Sequence, residues 1–164
     1  MSTKGQDVAV WRIATDTPSY TADDRSGAGA RITGGRWNRP GIPVLYCSGS
    51  IALACLETVA HLELTGLPLN RYLVHVGIPA DLWQARTIVQ ANENIGWDAE
   101  PAGKVSLDVG GHWCRICSSV VMEVPSVIVP EESNFLLNPE HPDMKRIALR
   151  KVRKWLFDAR LARR

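Results

Sequence analysis

A chain of 164 residues, 45% of them hydrophobic and 22% charged, is ordinary globular material, long enough for one well-filled core and too short for two comfortable domains. No run approaches the roughly 18 apolar residues of a membrane span, and MSTKGQDVAVWRI at the start lacks the basic, apolar and small-residue succession of a secretion signal. These features predict one domain over residues 1–164, working in the cytoplasm without a membrane.

In chain order, VAVWRI (residues 8–13) reads as a first strand and is followed by a turn-rich segment to residue 25. A glycine-punctuated loop comes next. Residues 35–38 and 43–47 read as short strands about the Pro40-Gly41 turn, and Ser48 or Ser50 can cap the following helix, IALACLETVAHL, over residues 51–62. The GLPLN segment from Gly66 is expected to stop that helix. Residues 71–78 alternate with Tyr72, Val74, Val76 and Ile78 on one face, as a half-buried strand should. A further strand is expected at 87–89. Residues 92–111 show little periodicity beyond a short helix, and 112–119 read as the end of a helix. Strands are predicted at 120–124 and 127–129, on either side of Pro125-Ser126, then at 135–137 and 147–157. NFLLNPEHP (residues 134–142) reads as a rigid polar loop.

Four cysteines form no recognised zinc framework: Cys47 and Cys55 are eight apart, and Cys114 and Cys117 make an isolated CxxC. They are expected to be free thiols, with Cys114 and Cys117 on one inward helical face. The net charge of +2 hides an asymmetry, because residues 145–164 hold nine of the nineteen Lys and Arg residues and a single acid, Asp158. Only Trp155 and Phe157 interleave them, so a solvated edge strand or a protein contact fits better than a nucleic-acid surface.

The chemistry concentrates in residues 27–61. Two arginines, Arg31 and Arg36, in a loop with Gly27, Gly29, Gly34, Gly35 and Gly41 point to an anion. Glu57 and His61 lie four apart on a helix whose only other polar residue is Thr58, so the helix is expected to be buried on most sides and its carboxylate to need a reason. Glu57 either pins the loop through an ion pair with Arg31 or Arg36, or it acts on a ligand. The loop lacks the P-loop and dinucleotide fingerprints, and Ser126 has no nucleophile elbow around it, so a serine hydrolase is not indicated.

GARITGGRWNRPGIPVLYCS, the helix with LETVAH, EVPS and NFLLNPEHP occur in an order that closely resembles the RES domain family, with likeness running from VWRI to LFDARL. The resemblance implies an α+β fold in a single domain, with strongly bent β-sheets flanked by helices, similar to the ADP-ribosyltransferases. It implies the toxin of a toxin–antitoxin pair that cleaves the nicotinamide–ribose bond of NAD. Phosphorolysis or hydrolysis that depletes NAD ranks first, ADP-ribosyl transfer to a protein second, and a non-enzymatic antitoxin-binding module third. The family's arginine, glutamate and serine fall on Arg31, Glu57 and Ser126, with Tyr46 as its strand tyrosine; Arg36 competes with Arg31 for the first role. Arg36, Trp37, Asn38, His61 and Asn138 are the accompanying binding candidates.

In that picture Glu57 stabilises the oxocarbenium-like ribose, an arginine holds the pyrophosphate, Tyr46 or Trp37 stacks on the nicotinamide, and Ser126 bonds the ribose or the carboxamide. No metal and no cofactor beyond NAD as substrate are expected, with inorganic phosphate a candidate co-substrate. The expected partner is an Xre-type antitoxin that carries any DNA contact, and the resemblance allows a homodimer within that complex.

Overall fold

The computed structural model describes residues 5–62 and 66–162. Its centre is a seven-stranded sheet built from β1 (Val8–Thr15), β2 (Leu45–Ser48), β3 (Arg71–Ile78), β4 (Thr87–Ile88), β5 (Val121–Pro125), β6 (Ser133–Leu137) and β7 (Ala148–Lys154). The strands lie in the order β4-β5-β6-β2-β1-β3-β7, and every neighbouring pair is antiparallel except β4 with β5. Among the described residues, four α-helices accompany the sheet: α1 (Ala28–Thr33), α2 (Ile51–His61), α3 (Ala80–Gln84) and α4 (Lys104–Ile116). The α+β class is as expected. No described helix is long and apolar enough to cross a membrane.

The sheet is unevenly stitched. β1 and β3 run in register along their whole length, from Val8 opposite Ile78 to Thr15 opposite Arg71. β1 and β2, in contrast, are joined at one pair, Trp11 opposite Ser48. The sheet therefore consists of two well-paired parts meeting at a seam, and the cleft described below opens there.

Side-chain alternation divides the core into two layers. Val121, Phe135 and Leu137 join Val10, Val74, Val76, Ile78 and Leu45 on one side, where Leu82 of α3, Met144 and Ile147 close the layer. Met122, Val124 and Leu136 point the other way, toward Val44, Trp37, Trp97 and Trp113 of α4. Leu73 is also buried, so β3 is covered on both faces where a half-buried strand was expected.

Several elements differ from the sequence reading, each for a local reason. The glycine loop folds into α1 between Gly27 and Gly34, whose φ angles of 69° and 70° suit glycine. α4 was only partly visible because Gly110 and Gly111 interrupt its pattern, and glycine weakens a helix by about 1 kcal/mol. They serve proximity: a Cβ on Gly110 would lie 1.7 Å from the Trp37 carbonyl oxygen. α3 was not foreseen. Residues 127–129 form a tight loop, closed by Ser126 N–H donating to Glu132 O and Glu132 N–H to Val129 O, and not a strand. Asn134 lies in β6, where a loop was expected.

α2 has only Leu53 and Ala54 fully buried, with Leu56 42% exposed, because one side alone rests on the sheet. It was expected to be buried on most sides, but apolar composition does not create a second covering surface. All four cysteines are free. Cys117 sits beyond the end of α4 with φ 54°, off the helical face it was expected to share with Cys114. Burial pushes the Cys47 and Cys114 thiols up to about 11. The basic C-terminal segment supplies β7, the edge strand at one side of the sheet.

Candidate active site

A cavity of about 690 Å³ opens at the β1–β2 seam, within the range of small-molecule and cofactor sites. Residues of β1, α1, β2, α2 and the loops around Glu100 and Val127 line it. Its shape follows from the elements around it. Ser50 caps α2 by accepting the Leu53 N–H at 3.1 Å, which aims the helix so that Glu57, Thr58 and His61 face the cavity. On the opposite wall, Tyr46 anchors the loop after α1: its hydroxyl donates to Asn38 Oδ1 at 2.7 Å and accepts the Trp37 N–H at 3.1 Å. Burial pushes the phenol well above its ordinary range, so it acts as a neutral clamp. Gly35 makes that clamp fit, since a Cβ there would lie 2.7 Å from the Tyr46 hydroxyl.

Glu57 forms no ion pair with an arginine among the described residues. Its Oε1 accepts Ser126 Oγ and Asn134 Nδ2, both at 2.7 Å, and nothing described bonds Oε2. The structural alternative of a pair with Arg31 or Arg36 is thereby removed. Ser126 is fully buried behind Glu57, outside the lining itself, and its oxygen accepts the N–H groups of Ile128 and Val129. His61 also lines the cavity, with Nδ1–H donating to the Glu57 carbonyl oxygen at 2.8 Å.

The two loop arginines part company. Arg31, in the last turn of α1, is exposed and lies outside the lining. Arg36 lines the cavity; its Nη1 donates to the Trp97 and Ala99 carbonyls and its Nη2 reaches Glu100 Oε2 at 2.8 Å. Trp37 borders the cavity, but it is 2% exposed and its ring is stacked on Trp97 in the core. Asn38 is fully buried and holds the loop together by donating to Ala30 O and Ile42 O. Asn138 is buried away from the cavity, where its Nδ2 donates to Cys114 O at 3.3 Å. Asn38 and Asn138 are thus scaffold at the positions read as binding candidates, because an asparagine surrounded by backbone carbonyls is consumed by them.

Two further guanidiniums line the cavity unforeseen, those of Arg12 and Arg71. Arg12 Nη1 donates to Tyr46 O across the seam at 3.0 Å, and its Nε is buried without a partner among the described residues. Arg71 donates to Thr15 Oγ1, and burial holds it below the usual arginine range. Arg12 was visible only as the charged member of VAVWRI, and Arg71 only as a strand's first residue. Trp11, Tyr20, Ser48, Asn134, Thr15, Thr33 and the acidic Asp24 also line it. Among the described residues no cluster of His, Cys, Asp and Glu is spaced to hold a metal ion.

The arrangement thus joins a carboxylate with one open oxygen to three guanidiniums in a single cleft. Chemically it suits a ligand that carries phosphate and develops positive charge elsewhere.

Residues 9–159 match the RES domain family. The chain is 57% identical, over 94% of its length and 96% of the relative's, to the "Prs ADP-ribosylating toxin" of Sphingobium sp. strain YBL2. It is 34% identical to the "Toxin Res" of Yersinia enterocolitica, over 74% of this chain and 79% of that one. With the "Toxin Res" of Pseudomonas putida the identity is 32%, over 93% and 98% of the two chains. On this match and these relatives, the chain belongs to the RES domain family.

Proposed function

We propose that this chain is the toxin of a toxin–antitoxin pair that breaks the nicotinamide–ribose bond of NAD and transfers the ADP-ribose to a protein side chain. The observation that carries the reading is Glu57: a carboxylate held by neutral donors on one oxygen, with the other left to a cleft lined by three guanidiniums. As nicotinamide departs with the bonding electrons, positive charge grows on the ribose, and an ionised carboxylate beside it lowers the barrier. Arg12, Arg36 and Arg71 hold the pyrophosphate, with Glu100 yielding its place on Arg36 to the incoming phosphate. Trp37 being stacked away, the rings left to face nicotinamide are those of Tyr46, Trp11 and Tyr20.

Transfer to protein is favoured over NAD destruction by the ADP-ribosylating relative at 57% identity. Phosphate or water as acceptor, the reading ranked first on the sequence, uses the same bond cleavage and differs in what attacks. A protein that consumes NAD in its own cytoplasm must be restrained, so an antitoxin of Xre type covering the cleft, and carrying any DNA contact, belongs to the same proposal.

The test is to incubate the purified chain with adenylate-labelled NAD, with and without phosphate, and with Prs, the protein in the relative's name. Label on Prs together with free nicotinamide is the expected result. Free ADP-ribose or its phosphate ester as the main product would transfer the reading to NAD degradation. Absence of nicotinamide release under all conditions would overturn both.

A further inference from the structure

Glu57 is held from behind by a relay that starts on a neighbouring strand. Ser48 and Asn134 face one another across β2 and β6, and Ser48 Oγ donates to Asn134 Oδ1 at 2.7 Å. A hydroxyl can donate or accept, so the acceptor-only Glu57 carboxylate sets the orientation of the amide, and Ser48 supplies the donor that the amide oxygen then needs. Rotated half a turn, the carboxamide would set its oxygen against the Glu57 carboxylate, acceptor against acceptor. In the observed orientation Nδ2 donates to Glu57 Oε1 at 2.7 Å. Ser126 approaches the same oxygen, its proton directed there because its own oxygen already accepts two backbone N–H groups. Both donors therefore converge on Oε1 and leave Oε2 to the cleft.

We propose that Asn134, backed by the Ser48 hydroxyl, is a positioning residue that fixes the Glu57 carboxylate for catalysis; the inference rests on Glu57 acting on NAD as proposed above. Asn134 suits the task because it is neutral. A lysine or arginine at that point would orient the carboxylate but cancel the charge that stabilises the ribosyl cation. Ser48 is 4% exposed and Asn134 sits within a paired strand, so both are held by the sheet and not by a loop.

The experiment compares Asn134→Ala, Ser48→Ala and Ser48→Thr with the wild-type chain for nicotinamide release from NAD in the presence of Prs. It also records the Asn134 side-chain amide signals of the free, isotope-labelled protein by NMR. Asn134→Ala is expected to lower kcat about tenfold to a hundredfold, the cost of a misplaced reacting group, with KM for NAD within about twofold. Ser48→Ala should act in the same direction by less, and Ser48→Thr should restore activity by restoring the hydroxyl. Glu57→Gln and Ser48→Ala should each move the Asn134 amide signals. An unchanged kcat in Asn134→Ala overturns the inference, as does a rise in KM alone, which would make Asn134 a substrate contact. Amide signals that ignore Glu57→Gln overturn it independently of activity. If the wild-type chain releases no nicotinamide, the NAD reading fails while the amide signals still decide whether Asn134 holds Glu57. Should Asn134→Ala not fold, the Ser48 variants and the amide signals decide.

Discussion

Two partly buried glutamates occupy opposite sides of the same pair of strands, and they are treated in opposite ways. Glu123 on β5 has both oxygens engaged: Oε2 accepts Arg86 Nε at 2.7 Å and Oε1 accepts Ser133 Oγ at 2.9 Å. Arg86 is itself held over the Trp83 ring at 4.2 Å and donates to the Trp83 carbonyl. Glu57 receives neutral donors on one oxygen and, among the described residues, no cation. Each glutamate takes a hydrogen bond from an adjacent residue of β6, Ser133 for one and Asn134 for the other, since alternate residues of a strand face opposite ways. Glu123 is neutralised and saturated, as a carboxylate that supports the fold should be, whereas Glu57 is oriented by neutral donors with one oxygen open, as the proposed function requires.

The largest effect expected from this contrast is on turnover. Glu57→Gln should keep the fold and NAD binding while reducing nicotinamide release by roughly a hundredfold or more, the usual consequence of removing one charge-stabilising group. Steady-state kinetics beside a thermal melt measures both. Comparable turnover in the variant would mean that Glu57 is as structural as Glu123.

The arginines sharpen the same point. Arg36→Ala is expected to weaken NAD binding about tenfold or more, as the loss of a charge-assisted contact does, while exposed Arg31→Ala stays within about twofold of wild type. Calorimetric titration with NAD separates them, and the reverse ranking would move the phosphate site out of the cleft.

Glu123→Gln should do the opposite of Glu57→Gln. The Arg86 guanidinium loses its counter-charge in a setting where both side chains are about four-fifths buried, so stability should fall by about 1–3 kcal/mol with kcat unchanged. Denaturant unfolding reads the first quantity. A variant as stable as wild type would show that the closed network contributes nothing.

The smallest effect concerns Asp16, whose carboxyl is held below its ordinary range by Lys151 of β7 and then by the Ala22 N–H. A depressed carboxyl stabilises the fold above the ordinary aspartate range and loses that contribution as pH falls through the folded-state value. Wild type should therefore melt slightly above Asp16→Asn near neutral pH, with the gap shrinking below about pH 4. A gap that widens in acid would contradict the pairing.

Much of this arrangement is legible in one dimension because it depends on neighbours along the chain. The VAVWRI strand, the Ser50-capped helix carrying Glu57, and the β3 strand beginning at Arg71 are each specified by residues within a few positions of one another. The motifs from GGRWN to NFLLNP, which carry the family resemblance, are local in the same sense. What brings Ser126 and Asn134 onto Glu57 is of another kind: 69 and 77 residues of chain separate the partners, and only the pairing of β2, β6 and β5 sets them side by side. Likewise Arg31 and Arg36 are indistinguishable as letters in a glycine-rich loop. The short helix α1 turns the first outward, while the carbonyls of Trp97 and Ala99 draw the second to the wall of the cleft. Arg12 joins them because β1 and β2 meet at a single pair and leave a gap that its side chain spans. Residue types and local periodicity set the elements and the chemistry available to them. Which charges meet, which are neutralised and which stay open was decided by the sheet, because hydrogen bonds and ion pairs act over a few ångströms of space regardless of the length of chain between them.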